Sequence, residues 1–576
     1  MAVDPDLALK NEEDVEPSQP SSDVENGAPH HTVILGWSNK IPSLVRQLTV
    51  ANQQQSGSMG RAGEITVVAA MELEQMQAEF KSHNIDMLGT NLTMICGSRH
   101  DTQILRKAGV DAAHAVIVLT ESQDAEESDE LAVILVKKIL KAMDATNFKG
   151  YIVVEVNDVE DEVWVKEAGG GLVETVVAKD VIRRLMVQCA RQPGLAQVWK
   201  DILGFDKAEF FIRRWAELDG MRFVDVLISF PDAIPCGVKV AARNGKIVLN
   251  PDDEYILAEG DEVLVIADDH DSYAPSTSLP EVRLFCKLRS PKEVQEAKAV
   301  KKILFCGWQR DMEDMIPLLE GSLGEGSELW IFSEVAEEER ARRLREKGVA
   351  VESLQNVTVT ECTGKATRKK DLESLPLELF DSILLVADGD TDSFIAKQEQ
   401  GPLSTLIMIK SIQTKRMPYR EARAVQMRPA GKSKSMWIDE LKHSPAQSII
   451  VSDILNEQTL RAIGEAVDSK DIVISDEMVS MALAMVAEDR CISGVLDELF
   501  AEEGNEMFMR PAENYLDEDA EELSFFDIMV RARQRREIVI GYHQVFKDNP
   551  AINPRDKAVK KKWSLDVSFI VLVERP

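Results

Sequence analysis

Apolar and polar positions along this chain alternate between two rhythms: short β-branched runs, and stretches with apolar residues at helical spacing. The first clear phrase is Thr32-Val33-Ile34-Leu35, closed by Gly36-Trp37 and followed by apolar positions Ile41, Leu44, Val45 and Leu48. Such a run, ending in a tight turn and continuing at helical spacing, predicts strand, turn and helix, the opening of a nucleotide-fold βαβ unit. The phrase returns as Lys302-Ile303-Leu304-Phe305-Cys306-Gly307-Trp308, with Met312, Met315, Ile316, Leu318 and Leu319 after it.

The elements downstream repeat in the same order. Strands are predicted at 65–70, 92–96, 115–119 and 151–156 after the first Gly-Trp, and at 329–332, 357–360, 382–387 and 422–427 after the second. Helical patterns such as 131–140 and 405–412 lie between them. Strands separated by helices imply a parallel sheet covered on both faces, and two copies imply a duplication.

Each βα half is followed by a smaller region of short strands with a helix. Both small regions contain an Asn-Pro turn (Asn250-Pro251, Asn553-Pro554), and both end in an apolar run, at 263–267 and 569–573. Arg243-Asn244-Gly245-Lys246 between two strand-like runs is a hairpin signal. The expected class is therefore α/β, with two Rossmann-like parallel-sheet lobes, each followed by a small α+β lobe. The spans are a disordered acidic lead-in (1–30), first large lobe (31–195), first small lobe (196–273), linker (274–300), second large lobe (301–490) and second small lobe (491–576).

Composition narrows the function classes. The 576 residues carry a formal charge of −32, which repels phosphate backbones and anionic lipid, so nucleic acid is not an expected partner. The seven cysteines contain no CxxC pair and suit buried thiols in a reducing compartment. The longest stretches without Asp, Glu, Lys or Arg, 26–39 and 47–60, have 14 residues each, too short to span a bilayer. Residues 1–30 hold eight acids and one lysine and offer no signal peptide, so the sequence as written is expected to be soluble if complete.

Candidate sites follow from the fold. A GxGxxG loop needs its second glycine for close approach of backbone to pyrophosphate and its third for helix packing. Here those places read Gly36, Ser38, Ile41 and Gly307, Gln309, Met312, so only the turn glycine remains in each copy. Glu72 and Glu334 follow the second strand of each copy, where a ribose-binding acid would stand. Gly36, Glu72, Gly307 and Glu334 are thus the residues of two degenerate nucleotide sites, and no bound nucleotide is expected. Ca2+ takes six to eight oxygen ligands, which draws attention to Asp388, Asp390 and Asp392 after the fourth strand of copy two and to Glu121 and Asp124 in the matching loop of copy one. Asp388 to Glu399 imitates EF-hand spacing, but Ser393 stands where that loop needs glycine. Gly431-Lys432-Ser433 imitates a P-loop end, yet Gln426 occupies the place of its first glycine. Neither GxSxG nor HExxH occurs, and no enzyme is expected.

The stretch Cys96-Gly97-Ser98-Arg99-His100-Asp101, continuing through Ala108-Gly109-Val110 into the run 115–119, resembles the KTN/RCK ligand-binding lobe of potassium transporters and channels. With the small lobes, the whole resembles tandem RCK domains, each an N-lobe and a C-lobe. Gly36-Trp37-Ser38, AKDVIRRLMVQCARQPGLAQVWKDILGF at 178–205, the run 228–268, SMALAMVAED at 480–489 and LDELFAEEGNEMFMRPAENY at 496–515 are similar to the CASTOR/POLLUX/SYM8 ion channels of plants. That resemblance extends from about residue 31 to the C-terminus. It implies the Ca2+-responsive gating-ring portion of a tetrameric cation channel of the nuclear envelope membrane, used in symbiotic calcium signalling. The family's pore helices are absent from the sequence. In RCK rings the helix after the fourth strand packs neighbouring domains, so 131–140 is a candidate assembly surface as well as a candidate for burial in its own domain. The alternatives are a soluble RCK-type subunit docking on a separate pore and, less favoured, a nucleotide-dependent enzyme.

Overall fold

The computed structural model describes residues 30–59, 63–120, 125–143, 148–269, 273–283, 299–308, 312–386, 404–416, 448–454, 472–501, 504–544 and 549–574. The chain divides into two compact units that do not follow chain order: one comprises 1–181, 198–288 and 476–576, the other 182–197 and 289–475.

The first unit contains six parallel strands: β1 (His31–Leu35), β2 (Glu64–Ala69), β3 (Asn91–Cys96), β4 (Ala115–Val118), β5 (Tyr151–Val156) and β6 (Val173–Val177). They lie in the order β3-β2-β1-β4-β5-β6. β1 pairs with β2 on one side and β4 on the other, so the strand order reverses between β1 and β4. All six residues of β5 are buried, as a central strand with helices on both faces requires. The helix Ala125–Ala142 presses Ala132, Leu135, Val136 and Ile139 into this core and leaves Ile134 46% exposed. The apolar stretch 131–140 thus serves its own domain while one isoleucine faces out.

Two small antiparallel sheets complete this unit. The first joins β7 (Glu209–Arg213), β8 (Ala233–Val240), β9 (Lys246–Leu249) and β10 (Glu262–Ala267) in the order β7-β10-β8-β9. Its hairpin turns at Asn244 and Gly245, both at positive φ (55° and 76°), the conformation that Asn-Gly supplies at low cost.

The second unit's sheet is β11 (Lys302–Cys306), β12 (Ser327–Ser333), β13 (Val357–Thr363), β14 (Ser382–Leu385), β15 (Ile449–Ile454) and β16 (Ile472–Ile474), in the order β13-β12-β11-β14-β15-β16. Its arrangement repeats the first sheet. The strand beside β14 is β15; the run 422–427, expected there from spacing alone, lies outside the described residues. The sequence between β14 and β15 is much longer than that between β4 and β5, so the even spacing of the repeat breaks there.

The second small sheet belongs to the first unit and joins β17 (Asn505–Pro511), β19 (Glu537–Gln544), β20 (Ala551–Ile552) and β22 (Val567–Glu574), with β18 (Glu521–Leu523) and β21 (Lys561–Trp563) as a separate ribbon. The two Asn-Pro turns fasten the small lobes together reciprocally. Asn250 and Asn553 both adopt positive φ, and the side-chain amides donate to Arg536 O at 2.7 Å and Asp232 O at 2.9 Å. Beside them Lys557, buried and pulled down to about 8 by that burial, donates to Pro231 O at 2.9 Å.

Two helices of 14 residues, Ala178–Arg191 and Ser475–Glu488, carry the chain from one unit to the other and are called here the first and second crossover helices. From Glu477 to Ala487 the second is buried on every side, which a helix tolerates only when covered all round. Among the described residues no helix is long and apolar enough to cross a membrane.

Candidate regulatory site at the carboxyl edge of the sheets

Ligands of doubly wound sheets bind beyond the carboxyl ends of the strands where strand order reverses, which is the mouth between β1 and β4 here. Gly36 turns the chain at φ 118° as its N–H donates to Val68 O, and Gly307 does the same at φ 111°, donating to Phe332 O. A Cβ on Gly307 would meet Val386 O at 2.1 Å, so the glycine is needed for the turn itself rather than for a phosphate.

In the first sheet this mouth is filled by the protein's own charges. Lys40, one turn after Gly36, places Nζ 3.0 Å from Glu155 Oε1 on β5 and 3.8 Å from Asp476 Oδ1 in the first turn of the second crossover helix. Glu155 Oε2 also accepts from Thr120 N at 3.1 Å. The backbone of Lys40 adds a tie, since Ser480 Oγ donates to Lys40 O at 3.2 Å. Burial works against the charge on Lys40, but Glu155 and Asp476 more than offset it and raise its pKa, so the ammonium persists at neutral pH. Arg99, also buried, donates from Nη1 to Leu119 O at 2.6 Å. The second and third glycines of a dinucleotide loop are missing here, where Ser38 and Ile41 stand.

The other expected residues fall apart from this cluster. Glu72 is exposed at the N-cap of the helix Leu73–Ser82, and its side chain makes no capping hydrogen bond. Glu334 is exposed and pairs with Lys365 at 2.9 Å. Asp388, Asp390, Asp392, Glu121 and Asp124 lie outside the described residues. Among the described residues no group of three or more His, Cys, Asp or Glu is placed to hold a metal ion.

Lys40, Glu155 and Asp476 are the residues that reading motifs missed, while Arg99 lies in the stretch 96–101 that motif reading picks out without giving it a partner. A signal existed for one of them: Glu155 interrupts the otherwise apolar strand Tyr151-Ile152-Val153-Val154-Glu155-Val156, and a carboxylate in a strand buried on both faces requires a partner.

Elsewhere in the same unit, a cleft of about 350 Å³ is lined by Glu174, Lys239, Lys246, Arg490, Cys491 and Asp497, among others. Its charges are largely paired: Arg490 with Glu174 at 2.6 Å, Lys246 with Glu498 at 3.6 Å, and Lys239 with Glu262 at 3.1 Å. Burial and Asp489 push the Cys491 thiol up, so it is no ready nucleophile at neutral pH.

Comparison with known proteins finds relatives along most of the chain. Residues 179–283 match a family model described as Castor and Pollux, part of voltage-gated ion channel. The chain is 49% identical over 545 residues to probable ion channel SYM8 of Pisum sativum, covering 94% of this chain and 59% of that one. It is 50% identical over 545 residues to ion channel DMI1 of Medicago truncatula, covering 94% and 60%. The chain therefore spans about three fifths of the length of these relatives. In fold it is similar to the human SLO3 gating ring, with a TM-score of 0.57 at 11% identity over 95% of this chain and 99% of that one. On these matches the chain is similar, over 94% of its length, to the CASTOR/POLLUX/SYM8 ion channels.

Proposed function

We propose that the chain is the regulatory, gating-ring portion of a CASTOR/POLLUX-type cation channel, a tandem RCK assembly that senses a small ligand and performs no covalent chemistry. The observation that carries this reading is the Lys40–Glu155–Asp476 network, which closes the place where an enzyme of this fold would hold its coenzyme. Alignment of 94% of this chain with named ion channels and the gating-ring fold support it.

The mechanism is linkage. A ligand that binds one arrangement of the lobes better than another shifts the population by no more than its differential affinity, and an attached pore would follow. Ca2+ is the ligand we propose, with Asp388, Asp390 and Asp392 as first candidates and Glu121 and Asp124 as second. The proposed assembly is a homotetrameric ring at the nuclear envelope membrane. Its contacts would use the exposed apolar side chains of the first sheet's outer helices: Ile134 at 46%, and Val163 and Trp164 of the helix Val159–Gly169 at 57% and 62%. Ile407, in the helical stretch 404–416 of the second copy, is 45% exposed as well.

The test is a thermal-shift titration of the 576-residue chain. Ca2+ at 100 times its Kd should stabilise the chain by about 2.7 kcal/mol, and the D388N/D390N/D392N variant should lose that gain. NAD, ATP and ADP should leave the melting temperature unchanged. A flat Ca2+ response removes this ligand, and strong stabilisation by a nucleotide overturns the reading.

A further inference from the structure

The two crossover helices end in matching ways with different chemistry. A helix leaves its last carbonyls without intrahelical partners. At the end of the first crossover helix, Ser382 Oγ donates to Ala190 O and Lys301 Nζ donates to Arg191 O. At the end of the second, the equivalent carbonyls are Ala487 O, which accepts from Tyr151 OH at 2.8 Å, and Glu488 O, which accepts from His114 Nε2 at 3.3 Å. The imidazole of His30 lies with its ring centroid 4.0 Å from that of His114, and its Nε2 is 3.6 Å from Glu488 Oε2. Tyr151 packs edge-on to His114 at 5.5 Å. A lysine and a serine thus anchor one helix end; a pair of closely apposed, mutually tilted histidines and a tyrosine anchor the other.

We propose that the C-terminal end of the second crossover helix is a proton-responsive latch, docked while His30 and His114 are neutral and released when acidification charges the pair.

The surrounding groups decide the sign. Facing the pair are His31 on β1, Tyr151 on β5, and Glu488 and Asp489 at the helix end, while Arg490 and Cys491 act on Tyr151. Glu64 and Asp111 act on His31, while Glu488 and Asp269 both act on Glu209 of β7. Arg490 is committed to Glu174 at 2.6 Å and lies 5.6 Å from the Tyr151 ring centroid. Glu488, whose carboxylate lies 3.6 Å from His30, can neutralise one imidazolium but not two with centroids 4.0 Å apart. Burial, His114 and His31 hold His30 down to about 4, and burial likewise lowers His114 and His31. The docked state therefore resists protonation, whereas an undocked histidine titrates at about 6.5. Docking is complete above that value and weakens as pH falls below it. For His30 alone, moving from pH 7.5 to 5.5 should shift the docking equilibrium roughly tenfold toward release.

Hydrogen exchange on the full chain tests this, read at pH 7.5 and 5.5 after correction for the intrinsic pH dependence of exchange. Peptides covering 480–491 should open about tenfold more at pH 5.5, while peptides covering 184–194, whose helix end is held by Lys301 and Ser382, should not. In H30Q/H114Q the difference should vanish. Equal behaviour of the two segments, or a pH response that persists in the double variant, overturns the latch. If the double variant does not fold, an NMR titration of the histidine-labelled wild type decides: His30 and His114 must protonate well below 6.5, and ordinary titration of both sinks the proposal.

Discussion

Replacing Glu155 with alanine is expected to destabilise the first unit by about 3–5 kcal/mol, the usual consequence of leaving one member of a buried ion pair behind. The reasoning starts from Lys40. Its ammonium is held at the closed edge of the sheet by Glu155 at 3.0 Å, while Asp476 is more distant at 3.8 Å. Without Glu155 the cation keeps only the weaker partner, and Thr120 N loses its acceptor at the end of β4. Since Asp476 opens the second crossover helix, the damage should reach that helix too. Urea denaturation measures the loss, and K40M/E155L identifies its cause. Removing both charges spares the protein an uncompensated cation, and Asp476 remains in the first turn of a helix, where the helix dipole favours a carboxylate. The double variant should recover most of the loss. A single-variant cost below about 1 kcal/mol would mean that the network behaves as a solvated surface pair.

Much of this architecture is legible in the sequence because parallel strands buried on both faces need uninterrupted apolar runs. Tyr151–Val156 has the same bounds in both readings, and the Arg243-Asn244-Gly245-Lys246 turn is a hairpin with its Asn and Gly at positive φ. Loss of the fingerprint glycines, too, is a matter of residue identity and can be read directly. What escaped was whatever depends on long-range placement. Lys40, Glu155 and Asp476 are separated by more than a hundred residues at each step, and no local pattern announces that they meet. The histidine pair is equally hidden: His30 closes a stretch that reads as lead-in and His114 precedes β4, so only folding makes them neighbours. The short edge strands Val173–Val177 and Ile472–Ile474 carry too few residues to display a period, and sheet pairing rather than sequence reveals them.

Glu209→Gln is expected to stabilise the protein by about 3–4 kcal/mol at pH 7 and by about 1 kcal/mol at pH 5. Glu209, at the start of β7, is 4% exposed, and its Oε1 finds no hydrogen-bond partner among the described residues. Burial first, then the negative charges of Glu488 and Asp269, push its carboxyl up to about 8, against the opposing hydrogen bond from Gln54. An unfolded glutamate ionises near 4.3. The sign follows: a carboxyl whose folded pKa is raised favours folding most below the unfolded value, and that contribution is lost as pH rises from about 4.3 toward 8. At pH 7 the native state therefore withholds a charge that the unfolded chain gains freely. Glutamine keeps the shape and has no proton to lose, so its advantage should grow across that window and level off above it. Chemical denaturation of both proteins at pH 5, 6, 7 and 8 gives the profile. A difference that does not vary with pH would show that Glu209 titrates normally, and a destabilised variant would show that its carboxylate is satisfied in the folded state.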